Sequence, residues 1–195
     1  MFGFCSRVRN MEAPKNRTLL LIDCQRGFDD PKWGQRNNPN FEENTKSLIH
    51  QWRAKSQNII HVRHSSTEID SPLRADARGF EFYDWAKPMN GEKEFVKNVN
   101  SSFIGTTLEA YLRKNGISSL VIAGLTTNHC VSTTVRMAGN FGFDVELVSD
   151  ACATFPRESP DGEILDADLI HTTALASLHG EFCTVKTCSQ ILNNL

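Results

Sequence analysis

The sequence predicts a parallel β-sheet covered by helices on both faces, a three-layer α/β/α sandwich. Three observations predict it. Short apolar runs alternate with longer segments of helical periodicity. Two of those runs, Thr18–Ile22 and Leu120–Leu125, are apolar without alternation, the pattern of strands buried on both faces. No repeat and no linker interrupts the series, and 195 residues suit one α/β domain. The first sixteen residues are expected to be a loose N-terminal extension, and residues 17–195 the single domain.

The elements follow in order. Thr18–Ile22 reads as a central strand ending at Asp23. An acid in that place sits where open α/β sheets bind ligands. Residues 24–40 contain Gly27, Pro31, Gly34 and Pro39 and read as a loop, with Phe28 and Trp33 as anchors or as pocket walls. Phe41–Gln57 carries one apolar stripe, Phe41, Thr45, Leu48, Ile49 and Trp52, and is the first helix. Asn58–Val62 is the second strand. His61 and His64 stand three apart on an extended segment, which points their rings to opposite sides. They therefore read as hydrogen-bonded histidines rather than as a metal pair.

Ser65–Lys93 is a long irregular stretch, and loops of that length are functional or mobile. Its aromatic residues, Phe80, Phe82, Tyr83 and Trp85, are costly to expose. They read equally as a substrate lid or as an oligomer contact. Glu94–Val96 is a short strand closed by Lys97, and Thr106–Asn115 is a helix ended by Asn115-Gly116. Leu120–Leu125 is the next strand. Gly124 allows the turn after it, Thr126, Thr127 and Asn128 are good N-cap types, and Val131, Thr134, Val135, Ala138 and Phe141 recur at helical spacing. Asp144–Val148 is a strand, Leu165–His179 a helix stopped by Gly180, and Phe182–Val185 the last strand before a short tail.

Composition excludes several roles. A formal net charge of −2 gives no electrostatic case for nucleic acid or an anionic membrane. No apolar run approaches the roughly 20 residues of a membrane span. The first residues carry Arg7 and Arg9 without an apolar core, so no secretory signal is expected. Six cysteines at irregular spacing point to free thiols in a reducing compartment, hence to the cytoplasm. No Gly-rich phosphate fingerprint follows any strand, so nucleotide cofactors are not expected.

The chemistry concentrates on three residues just past strands: Asp23, Lys97 and Cys130. Strand ends of a parallel sheet share one edge, so these three can converge. Cys130 lies in the first turn of a helix, where the dipole and unpaired N–H groups favour an anion and the thiol is expected to ionise more easily. Asp23 can take its proton, and Lys97 can hold the carboxylate charged. Each also has an ordinary reading, as a cap, a surface charge and a core thiol.

The chain resembles the isochorismatase-like cysteine hydrolases from about Arg17 to its end. The resemblance rests on Leu20-Leu21-Ile22-Asp23-Cys24-Gln25 with Phe28, on Lys97-Asn98-Val99-Asn100-Ser101-Ser102-Phe103, on Gly124-Leu125-Thr126-Thr127-Asn128-His129-Cys130-Val131, and on Asp150-Ala151-Cys152-Ala153-Thr154. It implies a six-stranded parallel sheet, an Asp23-Lys97-Cys130 triad and homo-oligomers, dimeric or tetrameric. It also implies a cis peptide at Leu125–Thr126, which would turn the Thr126 N–H toward the Cys130 N–H to form an oxyanion hole. Asp23 would deprotonate Cys130, the thiolate would attack a carbonyl, and water would hydrolyse the resulting thioester.

Two departures narrow the substrate. The nicotinamidase branch carries an Asp-x-His…His metal site after the second strand, whereas this chain has His61-Val62-Arg63-His64-Ser65-Ser66, so neither nicotinamide nor a metal is expected. The best-known isochorismatases, of siderophore and phenazine pathways, resemble this chain around the Asp and Lys but have glycine at the nucleophile position, so Cys130 tilts the expectation to a small amide or related C–N acyl substrate. The alternatives are vinyl-ether hydrolysis of isochorismate with Asp23 as acid, and a non-catalytic binding protein on the same scaffold. The pocket wall is expected to draw on Phe28, Trp33, Trp85, Phe103 and Phe155, and Arg63, Arg74 and Arg78 are candidates for a substrate carboxylate.

Overall fold

A computed structural model describes residues 17–195; the expectation for residues 1–16 lies outside them. Six parallel strands form one sheet: β1 (Arg17–Ile22), β2 (Ile59–His64), β3 (Lys93–Lys97), β4 (Ser119–Leu125), β5 (Asp144–Ala153) and β8 (Thr184–Lys186). Their spatial order is β3-β2-β1-β4-β5-β8. The direction of winding reverses between β1 and β4, and at such a switch point the strand ends leave a crevice.

Side chains of successive residues enter opposite layers. Leu20 and Ile22 join the layer of α2 (Leu108–Lys114), α3 (Ser132–Asn140) and α4 (Ala167–Leu178). Leu19 and Leu21 join that of α1 (Phe41–Ala54) and α5 (Cys188–Leu192). Fully buried Trp52 anchors α1 and donates its indole N–H to the Arg17 carbonyl at 2.9 Å. No described helix is long and apolar enough to cross a membrane.

The structure departs from the sequence reading at several boundaries. The first helix ends at Ala54 because Ser56 takes a left-handed conformation, φ +52°. β5 runs on to Ala153. Its register against β4 shifts between Ile122 and Gly124, so Gly124 pairs with Cys152 and Leu125 with Ala153 after an irregular stretch. Side-chain amides serve the carbonyls there: Asn38 donates to Ser149 and Cys152, and Asn44 to Asp150. The expected tail forms α5, started by a Thr187/Gln190 capping box. A two-stranded hairpin, β6 (Arg157–Glu158) with β7 (Ile164–Leu165), emerges from the loop after β5.

The stretch after β2 is pinned to the loop after β1. Gln25 donates to the carbonyls of His64 and Phe80 and accepts from the His64 N–H. Gly27 and Gly79 meet backbone to backbone: a Cβ on Gly79 would stand 2.7 Å from the Gly27 Cα and 2.2 Å from the Pro72 carbonyl oxygen.

Candidate active site

Four strand ends deliver the polar cluster. Asp23 follows β1 with φ +51°, His64 and Lys97 end β2 and β3 as register partners, and Cys130 lies past β4. Between β4 and Cys130 the Leu125–Thr126 peptide is cis. Gly124 is required just before it, because a Cβ there would lie 2.0 Å from the Ile22 carbonyl oxygen. The cysteine turn, Thr127–Val131, is π-helical and runs directly into α3. Thr126 starts it without a side-chain cap; its carbonyl accepts from the His129 and Val131 amides.

Lys97 connects the cluster. Its Nζ lies 2.7 Å from Asp23 Oδ2, 3.1 Å from Cys130 Sγ and 3.0 Å from His64 Nδ1. Asp23 and Lys97 are fully buried, and Cys130 is 7% exposed. Burial works against the Lys97 charge, but Asp23 and Cys130 outweigh it and hold the ammonium above its ordinary range. Burial first, and the neighbouring Asp23 charge second, push the Cys130 thiol up, although Lys97 opposes both. The expected ease of ionisation is therefore corrected. One ammonium offsets one buried anion, so a thiolate beside ionised Asp23 is disfavoured, and it forms as Asp23 accepts its proton. Asp23 Oδ1 is buried with no hydrogen-bond partner, and the carboxylate lies within 4.8 Å of Sγ.

Asp23, His64 and Cys130 are close enough to share a metal ion. Lys97 Nζ already stands within hydrogen-bond distance of all three. A cation could enter only by displacing the ammonium, so the donor set fits a lysine better than a metal.

A cleft of about 310 Å³ opens above Sγ. Phe28, Trp33 and Leu73 form its apolar wall, and Ser66, Glu68 and Ser71 its polar side. His64, Asn100, Thr126, His129 and Arg157 surround Cys130. Phe155 stacks behind Phe28 at 6.1 Å and touches Trp33, supporting the wall from a buried position. Two pocket expectations are corrected. Trp85 stacks on Tyr83 and meets Phe41 over α1, away from the cleft. Phe103 packs on Phe141 and Phe143 in the opposite core layer. Both follow apolar partners distant in the chain, Phe41 on α1 for Trp85 and the turn after α3 for Phe103, which the sequence does not place.

Three further residues join the site that the sequence reading did not place there: His64, read as a hydrogen-bonded histidine, and His171 and Arg157, which it did not single out. His64 accepts from Lys97, and burial followed by the Lys97 charge lowers its pKa, so it stays neutral. His171 on α4 meets Thr127 Oγ1 at 2.8 Å and steadies the cysteine turn. Arg157 reaches the cleft from β6 and contacts His129 Nδ1 at 3.2 Å. A strand-end position was the available signal for His64; none existed for the other two. Arg63 and Arg74 are engaged by Glu94 and Asp76 instead.

A six-stranded parallel α/β sandwich with this buried Asp–Lys–Cys cluster at its switch point has the build of a small hydrolase. Residues 17–187 match the isochorismatase domain model, and the chain belongs to the isochorismatase family of hydrolases. It is 45% identical over 180 residues to the isochorismatase family protein YrdC of Bacillus subtilis, covering 92% of this chain and 96% of the relative. It is 30% identical over 180 residues to the secreted isochorismatase effector Isc1 of Verticillium dahliae, covering 92% of each. A solved isochorismatase-family hydrolase from Chromobacterium violaceum superposes with a TM-score of 0.90 at 44% identity, over 94% of this chain and 95% of that one.

Proposed function

We propose that this hydrolase cleaves a small amide or related C–N acyl compound through a thioester on Cys130, without a cofactor. The observation that carries the reading is the Asp23–Lys97–Cys130 hydrogen-bonded cluster under an open cleft. Asp23 removes the thiol proton as Sγ attacks the carbonyl carbon. The Thr126 and Cys130 amides hold the oxyanion. Asp23 then gives that proton to the departing amine and activates the water that opens the thioester. Lys97 keeps the buried charge balanced through each transfer.

Two relatives named as amide hydrolases support the C–N assignment: a ureidoacrylate amidohydrolase of Caulobacter segnis, 28% identical over 65% of this chain, and nicotinamidase 3 of Arabidopsis thaliana, 32% identical over 55%. The name of the Verticillium relative keeps a second reading, vinyl-ether cleavage of isochorismate with Asp23 as acid. A cytoplasmic homo-oligomer acting on a small molecule completes the proposal, and light scattering tests the assembly.

Wild type and Cys130→Ala are to be compared on a panel of small amides and on isochorismate, with intact-mass spectrometry during turnover. An acyl adduct in wild type, with turnover abolished in a folded Cys130→Ala protein, is the expected result. Isochorismate turnover that survives the substitution without an adduct would instead establish acid catalysis.

A further inference from the structure

Arg157 is a cation without a described carboxylate partner, placed in the wall of the cleft above the nucleophile. Arg17, Arg26, Arg53, Arg63, Arg74 and Arg113 each pair with a carboxylate. Arg157 has no such pair among the described residues. It is half-buried in the cleft wall, its Nε–H is buried without an acceptor, and its terminal nitrogen stands 3.2 Å from the ring of His129, the residue before Cys130. Burial depresses the Arg157 pKa, and exposed His129 offers it a ring nitrogen rather than an anion, which leaves the guanidinium charge unbalanced. The carboxylate among the cleft-lining residues, Glu68, is exposed and forms no described ion pair with Arg157.

Leaving a partly desolvated guanidinium unpaired is costly, and an anion entering the cleft removes that cost. A single planar guanidinium matches a singly charged planar carboxylate, which it can bind through two N–H groups. We propose that the acyl substrate carries a carboxylate and that Arg157 receives it while Cys130 takes the carbonyl. Because Arg157 and Cys130 line the same cleft of about 310 Å³, the substrate is a small molecule that presents its carboxylate and its carbonyl within that space. This inference rests on the cysteine-hydrolase reading and makes Arg157 a specificity residue for it.

Alkylation of Cys130 by iodoacetate and by iodoacetamide tests the assignment without knowledge of the substrate. The two reagents differ chiefly in the carboxylate, and peptide mass mapping isolates the Cys130 rate. In wild type, iodoacetate should show saturation. The iodoacetate-to-iodoacetamide rate ratio should fall about tenfold in Arg157→Gln, the scale of one charge-assisted hydrogen bond, and recover in part in Arg157→Lys. Asp23 and Glu68 repel iodoacetate equally in all three proteins, so they cancel in the comparison. A reactive Cys130 with the same ratio in wild type and Arg157→Gln overturns the carboxylate assignment and leaves the hydrolase reading intact. A Cys130 inert to both reagents overturns the hydrolase reading and this inference with it.

Discussion

Lys97 is fully buried, yet its ammonium spends its three N–H groups on a carboxylate, a sulfur and an imidazole. Its value is chiefly electrostatic. With Lys97 in place the site carries one balanced charge pair, and the proton shared by Asp23 and Cys130 can move without creating a second buried anion. Removing it strands the Asp23 carboxylate. Lys97→Ala should lose about 3–5 kcal/mol of unfolding free energy, the scale for breaking one side of a buried pair. The double variant Lys97→Ala/Asp23→Asn should recover part of that loss, since the stranded charge is gone. Urea denaturation of the two single variants and the double closes the cycle. Strictly additive losses would mean that the 2.7 Å contact contributes no coupling.

At the scale of elements, the site depends on how closely β1 and β4 approach at their carboxyl ends. Gly124 sits against the Ile22 carbonyl with φ +134°, directly before the peptide that leads into the cysteine turn. Gly124→Ala should therefore destabilise by about 3 kcal/mol or more, combining overpacking against backbone with an unfavourable φ. Thermal unfolding followed by circular dichroism checks this, and a wild-type melting temperature would refute the close approach. The cysteine turn itself is braced from outside its own strand and helix. His171 reaches Thr127 from α4, and Thr154 Oγ1 donates to Asn128 Oδ1 from the end of β5. These contacts join segments distant in the chain, so the turn's shape is a property of the assembled sheet rather than of the sequence Thr126–Val131.

At the scale of the whole molecule, pH acts through its buried histidines. Burial is the first cause that lowers His61, half-buried His64 and His171 below the ordinary 6.5. Below pH 6.5 the unfolded chain binds protons that the folded chain refuses, so stability is full above that value and falls as the pH falls through it toward the folded values. The urea midpoint should drop between pH 7.5 and 5.5, and His171→Gln should flatten the slope. A constant midpoint over that window would contradict the burial of these rings. Glu92 acts in a lower window. Burial opposes its charge, but Arg53 and its other hydrogen-bond donors hold it down to about 2 from 4.5, and its contribution disappears as the pH falls between those values.

The layers, the parallel sheet and the set Asp23, Lys97 and Cys130 were readable from the order of residues alone. Apolar runs and helical stripes are local signals, and in a parallel sheet every strand end lies on the same edge. Residues just past strands were therefore legible as a group. What surrounds them follows from contacts made once the chain has folded. His64 meets Lys97 through strand register, Arg157 reaches the cleft on a hairpin, Trp85 turns away to Phe41 on α1, and Phe103 packs on the turn after α3. Such placements depend on packing between segments far apart in the chain, and no local periodicity carries that information. Protonation was decided there too. A helix start favours a thiolate, but burial and a neighbouring carboxylate outweigh it, and both arise only once the sheet has closed around the site.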